Sequence, residues 1–200
     1  MKKKFLLVML VTVMLVPSFL FAKAFSFSLG GVAMYNVLAG EVTDDYSQMG
    51  KIENYNFGAD LRLKLLMFDI TAMGLYNGKS TTAGYPEISG IVTAGLAFDL
   101  ADFIRVGVGI GPRLSVQNDG DSWKVYQGDT EVGANFKDAL MNAPMTYRAM
   151  VDFMLGGVSV GASYMVDTKY TFENAREVKN LVDCNWESGK LGVSLLLNVQ

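Results

Sequence analysis

The sequence predicts an all-β fold, an eight-stranded antiparallel up-and-down transmembrane β-barrel over residues 25–200. Three observations point there. Eight segments alternate apolar with small or polar side chains, the period-two signature of a strand with two unlike faces. Tight and long connections alternate between them. The chain also opens on a leader of the secretory type.

The leader comes first. Lys2, Lys3 and Lys4 precede an uncharged run from Phe5 to Phe21, and "AKA" at 22–24 fits an A-x-A cleavage pattern. Residues 1–24 are expected to be a signal peptide, with a retained anchor as the competing reading. Beyond it no run of 18 uncharged apolar residues occurs, so no transmembrane helix is expected.

The first segment, 25–37, sets Phe25, Phe27, Leu29, Ala33, Tyr35 and Val37 against Ser26, Ser28, Gly30 and Asn36. The second, 53–66, sets Tyr55, Phe57, Leu61, Leu63 and Leu65 against Asn56, Gly58, Asp60, Arg62 and Lys64. Around Met67 the phase flips, and Phe68, Ile70, Ala72 and Tyr76 carry the apolar face of the third, 68–77. Such a flip marks a tight turn between two strands.

The fourth, 88–100, and fifth, 103–116, place Val92, Leu96, Phe98, Val106, Val108 and Ile110 on one face. Ser89, Thr93, Asp99, Arg105 and Arg113 take the other. Pro112 lacks a ladder donor and predicts a bulge or local unpairing. The sixth, 145–155, and seventh, 158–167, oppose Tyr147, Val151, Phe153, Val160 and Tyr164 to Arg148, Asp152, Ser163 and Asp167. The eighth, 189–200, sets Leu191, Val193, Leu195 and Leu197 against Lys190, Gly192 and Ser194.

Connections near Met67, Ala101-Asp102 and Gly156-Gly157 are tight, while those at 38–52, 78–87, 117–144 and 168–188 are long. The long ones therefore emerge at one end. Twelve residues at ~3.3 Å, tilted about 40°, rise ~30 Å, enough for the apolar band of a bilayer. The second face is rich in Gly and Ser with isolated charges, which suits a narrow enclosed interior; the bulky face suits lipid. Closure also satisfies both sheet edges, which lipid would leave bare.

Aromatics sort by height. Tyr35, Tyr55, Tyr76, Tyr147 and Tyr164 are predicted to point outward near the long-loop end. Phe27, Phe68, Phe98 and Phe153 are predicted to do so near the short-turn end. Two such girdles mark lipid–water boundaries.

With these features the chain resembles the small eight-stranded outer-membrane β-barrel proteins, of OmpA, OmpX and OmpW-like architecture. The resemblance covers residues 25–200 and is one of architecture; the closing "LLLNVQ" lacks the aromatic last residue common in that class. It implies short periplasmic turns, longer surface loops, and residence in the outer membrane of a double-membraned bacterium.

The inward charges are Asp60, Arg62, Lys64, Asp69, Asp99, Arg105, Arg113, Arg148, Asp152, Asp167 and Lys190. Their signs nearly balance, so a packed interior network is the first reading. A narrow channel for small solutes and a conduit for small apolar ligands are the others. In the longest loop, Asp119, Asp121, Asp129 and Glu131 read as a solvated acidic turn rather than a calcium loop. A short helix is expected at 135–143. An amphipathic one is expected within 170–186, with Ala175, Val178, Leu181 and Val182 on its apolar side.

Several function classes recede on composition. The chain has no histidine, which removes imidazole bases and His-based metal sites. Cys184 is the only cysteine, so no intrachain disulfide forms. Loss of the leader would remove four lysines and no acid, leaving 13 basic and 20 acidic residues, a formal charge of −7. That balance disfavours nucleic acid. The expectation is a non-enzymatic monomer, without metal or cofactor, that meets outer-membrane lipid and contacts a surface or host ligand through its long loops. A secreted soluble lipid-binding barrel is the competing class.

Overall fold

A computed structural model describes residues 25–36, 50–78, 86–118, 123–127, 130–131 and 136–199. The expected signal peptide lies outside the described residues, as do Asp119, Asp121 and Asp129. Ten strands follow in order: β1 (Phe25–Tyr35), β2 (Tyr55–Leu65), β3 (Phe68–Asn77), β4 (Glu87–Ala101), β5 (Ile104–Asn118), β6 (Trp123–Gln127), β7 (Thr130–Glu131), β8 (Met145–Met154), β9 (Val158–Asp167) and β10 (Lys190–Val199). One helix, α1 (Phe136–Asn142), precedes β8.

Eight of these strands close a barrel in the cyclic order β1-β2-β3-β4-β5-β8-β9-β10. Every pairing is antiparallel, and the seam runs from Phe27 opposite Val199 to Met34 opposite Gly192. Close backbone approach shapes the wall. A Cβ at Gly30 would run into the Leu195 carbonyl, and one at Gly58 into the Gly74 carbonyl, so glycine is what the bend admits there. The β2–β3 turn places Leu66 at φ 56°, and the β8–β9 turn places Gly156 at φ 75°.

The structure follows the predicted alternation, with three differences and the predicted irregularity at Pro112. β4 and β5 each run 15 residues, longer than the alternation indicated, with a bulge between Asp99 and Ala101. At Pro112 the ladder to β4 skips from Arg113–Ile91 to Ile110–Ala94, while Pro112 stays opposite Met145. This is the local unpairing expected of a residue without an N–H.

The β5 strand also continues past the wall and pairs with β6, which pairs with β7. A hairpin thus stands where the sequence suggested only an acidic turn. The 170–186 segment, finally, forms no amphipathic helix. It contains a 3-10 turn at Val178–Leu181 and the start of another at Trp186–Ser188, and Val178 and Val182 are 65% and 78% exposed. Four apolar residues spread over 175–182 do not repay helix nucleation without a surface to cover.

The core lies inside the barrel. Val32, Met34, Met73, Leu75, Ile91 and Met165 pack together in the half nearer the long loops. Charged side chains fill the half nearer the short turns.

Candidate functional site

The lumenal charges form two linked groups, and β2 supplies the hub of the larger. Asp60, fully buried, accepts hydrogen bonds from Arg62 Nη2 at 2.8 Å, Arg148 Nη2 at 2.6 Å and Ser194 Oγ at 2.8 Å. Arg62 also reaches Asp152 through Nη1 at 2.5 Å. The i, i+2 spacing of Asp60 and Arg62 puts both on the inner face, one pleat apart.

In the second group Asp99 bridges Lys64 at 2.6 Å and Arg105 at 2.7 Å. Thr71 and Thr93 share a hydrogen bond of 2.7 Å. Asp69 is buried opposite Lys64 in the β2–β3 register. Four basic and four acidic groups therefore fill this half. Such charges are tolerable away from water when paired and hydrogen-bonded, as all of these are except Asp69, whose buried Oδ1 has no hydrogen-bond partner among the described residues.

The remaining three predicted inward charges sit apart, at the long-loop end. Arg113 Nη1 meets Asp167 Oδ2 at 2.7 Å, and Thr146 Oγ1 donates to Asp167 Oδ1 at 2.5 Å. Lys190 lies across the β9–β10 pairing from Met165. The methionine-rich layer separates these three from the lower network, so the structure brings eight of the eleven together.

Two participants carried no charge signal in the sequence. Ser194 completes the Asp60 shell. Gly161 leaves the room that Asp152 and Arg62 occupy, because a Cβ there would run into Asp152 Oδ1. Both lie on the inward phase, the only sequence cue available for either.

The outer wall is apolar around its whole circumference. Leu29, Phe57, Ile70, Val92, Val108, Val151, Val160 and Leu195 are all exposed, one from each strand in turn. Phe68 and Phe153 are 60% and 50% exposed at the short-turn end, and Tyr76 is 53% exposed at the other. Phe27, Phe98, Tyr55, Tyr147 and Tyr164 are half-buried on the same outward phase.

Tyr35 departs from the expectation. It is only 3% exposed, with the Tyr55 ring 5.1 Å away, and so presents no ring surface outward. The last strand residue before a long connection is packed rather than free. Trp186 adds an aromatic the girdle reading missed. It stacks between Tyr147 and Tyr164, with centroids 6.5 Å from each, and the Tyr164 hydroxyl donates to its carbonyl.

A closed barrel with charge inside and an apolar belt outside inverts the soluble pattern. Such a surface is matched by hydrocarbon and not by water, which defines a protein that crosses a membrane with strands. Among the described residues no helix is long and apolar enough to cross.

No family model matches the chain, and no curated protein does. Solved structures of small outer-membrane barrels resemble it. The attachment invasion locus protein Ail of Yersinia pestis has 14% identity and a TM-score of 0.45, over 88% of this chain and 97% of that one. The same protein in complex with the heparin analogue sucrose octasulfate has 14% identity and a TM-score of 0.42, over 87% and 95%. Neisserial surface protein A has 10% identity and a TM-score of 0.43, over 88% and 96%. The likeness is one of fold.

Proposed function

We infer that the protein is an integral outer-membrane barrel, delivered by the leader at 1–24, whose role is structural or adhesive and is exercised through its long loops. The observation that carries this reading is the combination of an apolar belt on all eight strands with a lumen occupied by paired charges and a methionine-rich layer. A wall of that kind is held by lipid, and a lumen blocked by the charged network and the methionine-rich layer leaves the loop end as the surface open to partners. No chemistry is assigned to the lumen, and the reading is non-enzymatic.

The test is conductance of the refolded protein in a planar bilayer, together with detergent partition. Recovery in the detergent phase with no steady conductance is expected. Recovery in the aqueous phase would place the chain among soluble barrels. Steady ohmic conductance would replace the surface role with the narrow-channel reading.

A further inference from the structure

Above the methionine-rich layer the lumen does not fill. A cavity of about 60 Å³ remains at the long-loop end. Its lining is divided in character. Met34, Leu75, Ile91 and Met165 supply an apolar floor, and Arg113 and Lys190 bring two cations above it. Among the described residues Asp167 is the one carboxylate in the lining, and both its oxygens are engaged, by Arg113 and Thr146.

Lys190 is the uncommitted group. Among the described residues its ammonium has no hydrogen bond and no ion pair. Glu87, the other acid whose charge reaches it, is not part of the lining. The lower network is balanced, four against four, whereas the described lining here sets two cations, Arg113 and Lys190, against the single carboxylate of Asp167, with Glu87 as a counter-charge outside the lining. A cation facing a partly enclosed apolar space is stabilised by an anion that brings its own apolar surface.

We propose that this cavity is a binding site for a small amphiphilic monoanion, a short-chain carboxylate whose head meets Lys190 and whose tail lies on Met34, Met165 and their neighbours. At about 10–15 Å³ for each water-sized site, the cavity has room for about four to six water-sized groups, which restricts the ligand to a short chain. Propanoate and butanoate are of that size. The methionine layer and the Asp60 hub close the side nearer the short turns.

Methyl NMR of the folded protein in detergent micelles, labelled at the methionine methyls, tests this with three probes of one chain length: butanoate, 1-butanol and butylammonium. Butanoate is expected to shift the Met34 and Met165 methyls saturably below about 50 mM. 1-Butanol should bind at least about tenfold more weakly, the usual loss when a charge-assisted hydrogen bond is removed. Butylammonium should not bind. Lys190→Met, checked for heat-modifiable migration, should weaken butanoate by the same factor. An equal response to all three probes, no shift with butanoate, or full affinity in Lys190→Met would overturn the site. Should the variant not fold, the three-probe comparison on the unmodified protein decides alone. Because no bilayer is involved, the result is separate from the conductance that tests the surface role.

Discussion

Arg62 and Asp152, 90 positions apart in the chain, meet inside the barrel at 2.5 Å. Arg62 is simultaneously bound to Asp60, which also holds Arg148 and Ser194. β2, β8 and β10 are therefore tied across the lumen as well as along the wall. Main-chain pairing makes the cylinder; these side chains fix its bore.

Replacing Arg148 with Ala should cost about 3 kcal/mol, near the lower end for breaking a buried pair. Asp60 would keep Arg62 and Ser194, so it is not left alone, but the lower lumen would change from balanced to one negative charge in excess. Urea unfolding in lipid vesicles measures the loss, and bilayer recording should detect a leak absent from the parent. Unchanged stability would show that Arg148 is already solvated.

Leu195 and Ser163 lie on adjacent strands and opposite faces, 61% and 4% exposed. Leu195→Arg puts a charge against hydrocarbon and should destabilise by ~2–4 kcal/mol, more in thicker bilayers. Ser163→Arg should show a cost set by lumen packing, with no dependence on thickness. Unfolding in lipids of two chain lengths distinguishes them, and equal thickness dependence would contradict the assigned facing.

A methyl group at Gly161 must displace the Asp152 carboxylate from Arg62, whereas Gly157 has open space around it. Gly161→Ala is expected to destabilise by about 1–3 kcal/mol, the cost of leaving buried polar groups unmatched. Gly157→Ala should be close to neutral. The comparison by chemical unfolding separates the effect on the lumen from a general effect of losing glycine.

Leu66 occupies the left-handed region, where a Cβ costs about 1–2 kcal/mol. Leu66→Gly removes that strain and gives back part of it through a more flexible unfolded chain. A net gain of about 0.5–1 kcal/mol is expected. Gly156→Ala, at the other positive-φ turn, should lose about 1 kcal/mol by the same argument. A loss of stability in Leu66→Gly would mean that the leucine's apolar contacts outweigh its backbone strain.

The wall was legible because alternation has high contrast wherever one face is bulky and the other small or charged. Asp60, Arg62 and Lys64 between leucines leave no doubt about facing. Contrast fades near the long-loop end, where Val32, Met34, Met73 and Leu75 are inward and their neighbours are apolar as well. The methionine layer was accordingly hidden, and the interior read as more uniformly charged than it is. Heights along a strand could be ranked from sequence, yet what covers a given ring could not, and Tyr35 shows the difference. Loop elements were the least legible. The β6–β7 hairpin draws its first partner from an extension of β5, and Trp186 finds its rings on two other strands. Neither relation leaves a local pattern.

The seam between β1 and β10 has a bearing on biogenesis. Phe27 lies opposite Leu63 of β2 on one side and Val199 of β10 on the other, so the first strand keeps one open edge until the last is in place. Ser194 reaches Asp60 across 134 positions, and that contact too must wait for the final strand. Zippering of the hairpins can proceed locally, but ring closure is a late, long-range event, slow for its loop entropy and exposed to mispairing beforehand. A chaperone or insertion machine acting on this chain would therefore have one critical task, guarding the two unpaired edges until they find each other.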